Sequence, residues 1–282
     1  MKPRPLDLRH RGRARVIGAY LLETEDGLAL HDCGPSSDLP ALKAGLRERG
    51  VALHELRHLL LSHIHLDHAG AAGAIVREHP DLEVHVSEVG APHLVDPSRL
   101  EASARRLYGD AFDDLWGELA PVPEGNVRVV GDRVVGLACF PTPGHASHHV
   151  CYLDGDGTLY AGDAAGVRIQ PSTVVLPPTP PPEIDVEAWL ATIDELERQA
   201  PRRLALTHFG VADDVGRHLA ELRARLERWA ELARRVADAA AFAAEAGADL
   251  GVEDEIRAAI DSAIPLEQSY AGLARYWSKR AA

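Results

Sequence analysis

Within Ser62-His63-Ile64-His65-Leu66-Asp67-His68, three imidazoles and a carboxylate crowd into one short stretch. Neutral imidazoles and carboxylates ligate Zn²⁺, Fe²⁺ or Mn²⁺, and a thiolate-poor donor set does not demand zinc alone. In an extended segment His63 and His65 project to the same side, while Asp67 and His68, on a first helical turn, face elsewhere. One motif can thus serve two cations. Thr142-Pro143-Gly144-His145 holds a further imidazole on a tight turn. Tyr160-Ala161-Gly162-Asp163 places a carboxylate just past a strand, and its two oxygens can bridge cations about 3.5–4 Å apart. Leu206-Thr207-His208 ends another strand with one more imidazole.

These groups converge only if strand ends bring them together. Residues 14–22 and 28–31 read as a β-hairpin about Glu25-Asp26-Gly27, which ends at Asp32-Cys33-Gly34-Pro35. Ser36 or Ser37 is expected to cap a helix carrying Leu39, Leu42 and Leu46. A buried strand over 56–61 delivers the histidine motif, and 69–78 reads as helix. Residues 82–87 alternate as a strand, 89–94 suit a helical turn, and 99–119 hold helical stretches with Trp116 on an apolar face. Further strands are expected at 127–130, 134–140, 150–153, 159–161 and 203–207, with a helix over 186–199. The prolines of 177–182 lack amide donors and predict an extended surface segment. Beyond the last strand the chain turns helical, with an apolar stripe of Leu219, Leu222, Leu226, Trp229, Leu232 and Val236.

With 282 residues, 46% hydrophobic and 26% charged, and no apolar run long enough to span a bilayer, the composition is that of a globular protein. The basic residues near the N-terminus precede no apolar signal core, so a cytoplasmic location is expected. Thirty basic against 43 acidic residues leave a formal charge of −13, which argues against a nucleic-acid partner. Three cysteines are too few for a disulfide scaffold; Cys33, beside Asp32, reads as a buried thiol.

Taken in order, His63-x-His65-x-Asp67-His68, His145, Asp163 and His208 resemble the complete ligand set of the metallo-β-lactamase superfamily. The resemblance spans residues 14–210 and includes the Asp32-x-Gly34 turn. It implies a four-layer αβ/βα sandwich, with a metallo-β-lactamase-like domain over 1–211 and a helical C-terminal subdomain over 212–282. It further implies two divalent metal ions, Zn first and Fe or Mn as alternatives. His63, His65 and His145 would hold one, Asp67, His68 and His208 the other, and Asp163 would bridge them. Asp32 and His149 match residues that orient the ligands from behind.

The implied activity is that of a dinuclear hydrolase using a metal-bridging hydroxide, steered by Asp67, on a small-molecule carboxylic ester, lactone or thioester, in a glyoxalase II-like or lactonase-like branch. Asp163 stands where the cysteine-ligand β-lactamases carry Cys, and His65 where flavodiiron proteins carry glutamate. The Gly-Cys-Gly-Arg segment of glyoxalase II is missing after Asp163. Phosphodiester cleavage and mononuclear iron persulfide dioxygenation are the alternative chemistries within the family. Arg168 is a candidate substrate-binding cation, set against the plainer reading of a surface arginine. The tail stripe suits packing on the sandwich, a substrate cap or a homodimer surface.

Overall fold

The computed structural model describes residues 3–248 and 250–280. One sheet runs in sequence order through β1 (Leu6–Asp7), β2 (Gly18–Thr24), β3 (Gly27–His31), β4 (Leu56–Leu60), β5 (Glu83–Val86) and β6 (Val127–Val129). The other is ordered β12 (Gly210–Ala212), β11 (Arg203–Leu206), β10 (Thr158–Gly162), β9 (Val150–Leu153), β8 (Leu137–Pro141), β7 (Arg133–Val134). β3 to β6 are mutually parallel, as are β10 and β11. Parallel pairing sends the C-terminal ends of β3, β4 and β5 to one edge, and the loops leaving β3 and β4 carry Asp32 and the histidine motif.

Alternation along the strands builds two kinds of core. Leu59 of β4 and Val84 of β5 join the clusters under the outer helices. Their neighbour Leu60 turns inward with Tyr20 and Ala29 to meet Cys139, Tyr152 and Tyr160 of the opposite sheet. Two buried phenols cross that interior. Tyr20 donates to Leu206 O at 2.7 Å, and Tyr152 donates to Leu61 O at 2.9 Å, so each sheet supplies a polar tie to the other.

Helices cover both outer faces, with α1 (Leu39–Glu48), α2 (Leu66–Ala69), α3 (Ala72–Glu78), α4 (Ala91–Val95), α5 (Ser98–Tyr108) and α6 (Phe112–Trp116) in the first half. The second half adds α7 (Val186–Arg198), α8 (Val215–Arg235), α9 (Ala239–Ala248), α10 (Asp254–Ala263) and α11 (Leu266–Arg280). The apolar stripe of α8 is buried at Leu219, Leu222, Leu226 and Trp229, each worth about 1.5–3 kcal/mol of hydrophobic transfer. Trp229 and Phe242 share one core with Leu204 and Leu206 of β11, so the tail is continuous with the sandwich. None of the helices among the described residues is long and apolar enough to cross a membrane.

Several sequence expectations are corrected. The strand expected over 134–140 is a hairpin, because Val135 and Gly136 both take positive φ, at 43° and 93°, and turn the chain. The helix expected over 69–78 starts at Leu66 and is divided between α2 and α3. Ser36 and Ser37 do not cap α1; they donate instead to Gly70 O and Leu115 O, which tethers this turn to the α2–α3 junction and to α6. β12 adds a strand, paired antiparallel with β11, where the sequence pattern predicts none. The proline segment is extended, but Pro177, Pro178 and Thr179 are buried, and Thr179 Oγ1 donates to Ser269 O of α11 at 3.1 Å.

Candidate metal centre

The predicted ligands meet at the strand-end edge. His63, His65 and His145 form one group, Asp67, His68 and His208 a second, and Asp163 lies with His63 and His68 in a third that joins them. The two carboxylate oxygens of Asp163 divide between the groups: Oδ2 is 3.3 Å from His145 Nε2, while Oδ1 is 3.4 Å from His68 Nε2 and 3.6 Å from His208 Nε2. Asp67 Oδ2 lies 3.2 Å from His208 Nε2. Donors about 2.0–2.2 Å from a tetrahedral cation stand roughly 3.3–3.6 Å apart, so this spacing is what a bound ion requires.

The local hydrogen bonds decide which nitrogen each imidazole offers. His145 Nδ1–H donates to Pro178 O at 2.8 Å, His208 Nδ1–H to Val16 O at 2.5 Å, and His68 Nδ1–H to Asp32 Oδ2 at 2.7 Å. Carbonyl and carboxylate oxygens only accept, so Nδ1 carries the hydrogen in all three and Nε2 faces the centre. Ser62 Oγ donates to Asp32 Oδ2 and therefore accepts from His63 Nδ1–H at 3.0 Å. His63 Nε2, His68 Nε2 and Asp163 Oδ1 are buried with no hydrogen-bond partner. Buried polar atoms rarely stay unpaired, and these three converge. The donor set fits divalent metal ions.

Electrostatics agree with the geometry. Burial, reinforced by neighbouring imidazoles, holds His63 and His65 in the neutral form. Burial also holds His145 neutral, against the pull of Asp163. For His68 and His208 burial works the same way but is outweighed by Asp163 and Asp67, joined by Asp32 at His68, which raise both. Asp67 and Asp163 stay ionised despite burial because those imidazoles face them. Negative potential is thus focused between the two groups, where a cation would sit.

Gly144 sets His145 in place. At φ 130° a Cβ there would fall 2.4 Å from the Cα of Trp189, so only glycine lets α7 approach the turn. The two expected supporting residues lie behind the ligands: Asp32 holds His68, and His149 spends both nitrogens, donating from Nδ1–H to Thr142 Oγ1 and accepting at Nε2 from the Asp163 amide.

Arg168 is neither of the things the sequence suggested. Only 8% exposed, it pairs with Asp214 at 2.5 Å at the N-terminal end of α8 and is not among the residues that line the cleft. Two residues near the centre escaped the sequence reading. His148 stacks on His63 at 5.9 Å and is pushed down to about 4 by burial, which Glu183 partly offsets. Tyr108 of α5 is half-buried, and the Asp67 charge adds to the upward push of burial on its phenol. His148 could have been suspected from its place in Gly144-His145-Ala146-Ser147-His148-His149; nothing in sequence marks Tyr108.

The family model described as the metallo-beta-lactamase superfamily matches residues 13–208. The chain belongs to this superfamily. ST1585 from Sulfurisphaera tokodaii, described as a metallo-beta-lactamase fold-containing protein, is 27% identical over 168 residues, 56% of this chain and 62% of that one. The solved structure of ST1585, from Sulfolobus tokodaii, superposes with a TM-score of 0.69 at 20% identity and covers 96% of both chains, so the likeness of fold includes the tail. A structure of TTHA1623 in a di-iron-bound form gives a TM-score of 0.54 at 27% identity, covering 71% of this chain and 90% of that one. A hydroxyacylglutathione hydrolase from Photobacterium profundum is 29% identical over 130 residues, 46% of this chain and 39% of that one. The matched segments therefore span less than two thirds of these curated relatives. The metallo-β-lactamase fold accounts for the sandwich and for the placement of all seven candidate ligands at one edge.

Proposed function

We propose that this superfamily member is a dinuclear metal-dependent hydrolase of ester-like bonds: carboxylic esters, lactones or thioesters. The observation that carries the reading is Asp163, whose oxygens face two separate groups of imidazoles. His63, His65 and His145 would hold one ion and Asp67, His68 and His208 the other. Zinc suits the imidazoles, and iron suits them too, as the di-iron form of TTHA1623 illustrates for that protein. A full second set of ligands favours two ions over a single iron.

When bound, two such cations supply Lewis acidity, which polarises a carbonyl and acidifies water near neutral pH. The chain's own residues do the rest. Asp67, the more exposed of the two ligand carboxylates, faces the cleft as an ionised acceptor and would orient an attacking water by taking a hydrogen bond from it. His145 and His208, pinned through Nδ1 by backbone carbonyls, keep their Nε2 atoms fixed during turnover. No cysteine lies among the ligands, since Cys33, Cys139 and Cys151 are buried thiols raised by desolvation.

Metal analysis of purified protein together with a panel of small esters, lactones and thioesters tests this. Two ions per chain and chelator-sensitive hydrolysis are expected; a fully metallated protein inert toward the whole panel sinks the proposal.

A further inference from the structure

A cavity of about 730 Å³ opens above the metal centre, with His65, Asp67, His145, Asp163 and His208 on its wall. Cavities of this size enclose most of a drug-sized ligand. Its other walls come mainly from four places far apart in sequence: the N-terminal segment at His10, Arg11, Val16 and Ile17, α5 and α6, the proline segment, and the α10–α11 junction of the tail. Leu100, Leu107, Trp116, Pro180, Ile264 and Pro265 make much of that lining apolar.

The charge on α5 is distributed unevenly. Arg105 is spent on Glu101 and Asp113, both at 2.9 Å. Arg99 and Arg106, two turns apart on the same side as Ser103, line the cavity and are exposed. Neither forms an ion pair with a carboxylate among the described residues; Asp96 feels the charge of Arg99 without bonding to it. In a chain of formal charge −13, two guanidinium groups without a carboxylate partner, set among the apolar side chains of the cavity's α5 wall, form a local concentration of positive charge. Among the acids at the cavity wall, Asp67 and Asp163 belong to the metal centre and Asp261 is bonded to Arg257, while Glu183, held by Ser147, keeps its charge but pairs with neither Arg99 nor Arg106.

We infer that the substrate is an amphipathic, anionic ester-like compound, whose aliphatic or aromatic body fills the apolar cavity and whose carboxylate or phosphate is held at the mouth by Arg99 and Arg106. This rests on the hydrolase reading and adds to it a substrate class. The tail supplies the roof that makes an elongated apolar body fit.

Binding can be read apart from turnover. Displacement of an apolar fluorescent dye from the metal-loaded full chain is measured for dodecanoate and for dodecanol, in the wild type and in the R99Q/R106Q double variant. Dodecanoate should bind about tenfold more tightly than dodecanol to the wild type, the scale of a charge-assisted hydrogen bond at an exposed site, and the preference should vanish in the variant at unchanged metal content. Equal binding of the two probes overturns the inference. So does a preference that survives in the variant, since the metals would then be holding the carboxylate. Selective binding without hydrolysis of any ester would leave the amphipathic-anion site at Arg99 and Arg106 standing and sink the hydrolase reading; hydrolysis without charge preference would do the reverse.

Discussion

Asp32 Oδ2 lies 2.7 Å from Nδ1 of His68 and also receives hydrogen bonds from Ser62 Oγ and Thr207 Oγ1. One carboxylate thus ties the loops after β3, β4 and β11 together behind a single ligand. Asp32 takes a positive φ of 54°, which asparagine tolerates and alanine resists. Asp32→Asn should therefore keep the fold while lowering metal affinity or activity by about 10–100-fold. Asp32→Ala should add backbone strain to the same loss. Metal analysis and thermal melting of the two variants separate these effects.

Asp163→Ala should be more damaging than His208→Ala. It takes an anionic ligand from both groups at once and leaves two cations less screened from each other. The expected outcome is loss of one ion, a fall in activity of more than about 100-fold, and an unchanged circular dichroism spectrum, because the apolar cores carry the fold. Two ions retained would refute the bridge.

The Arg168–Asp214 pair predicts a pH-dependent stability difference. The hydrogen bond from Arg168, opposed by slight burial and assisted by Arg217, holds the Asp214 carboxyl well below its usual range. A depressed folded value means that the contribution is complete above about pH 4 and fades as the pH falls toward the folded value. Asp214 is partly exposed, so solvent screening limits the pair to about 1 kcal/mol. Asp214→Asn should be less stable than the wild type at pH 7, with a gap that narrows at pH 3 in denaturant titrations.

Gly272 inverts a common rule. Glycine to alanine inside a helix ordinarily stabilises by up to about 1 kcal/mol. At this position of α11 a Cβ would stand 2.0 Å from the backbone oxygen of Thr179. Gly272→Ala should instead lower stability by about 1–3 kcal/mol, visible as a reduced Tm. An unchanged or higher Tm would mean that the tail yields easily.

The candidate ligands were legible because each follows a strand whose apolar pattern is clear from local sequence, as with 56–61 before His63. The β7–β8 turn was not, since a valine at positive φ contradicts its own branched side chain and only the surrounding sheet enforces it. β12 escaped because three small residues carry no periodicity; its partner β11 supplies the pairing. Arg168 was misjudged because its partner lies 46 residues away. Tyr108 and the cavity roof depend on packing between distant helices, which no spacing within one segment encodes.

Adjacent residues of the proline segment are tied to different parts of the molecule. Pro178 O accepts from the imidazole of His145, and the next residue, Thr179, is bonded to Ser269 and leaves no room for a Cβ at position 272. One peptide unit thus connects α11 to a candidate ligand of the metal centre. Exchanging this tail for one of different helical register would change the basicity of that imidazole together with the shape of the cavity, so reactivity and substrate range cannot be tuned independently from this side of the molecule.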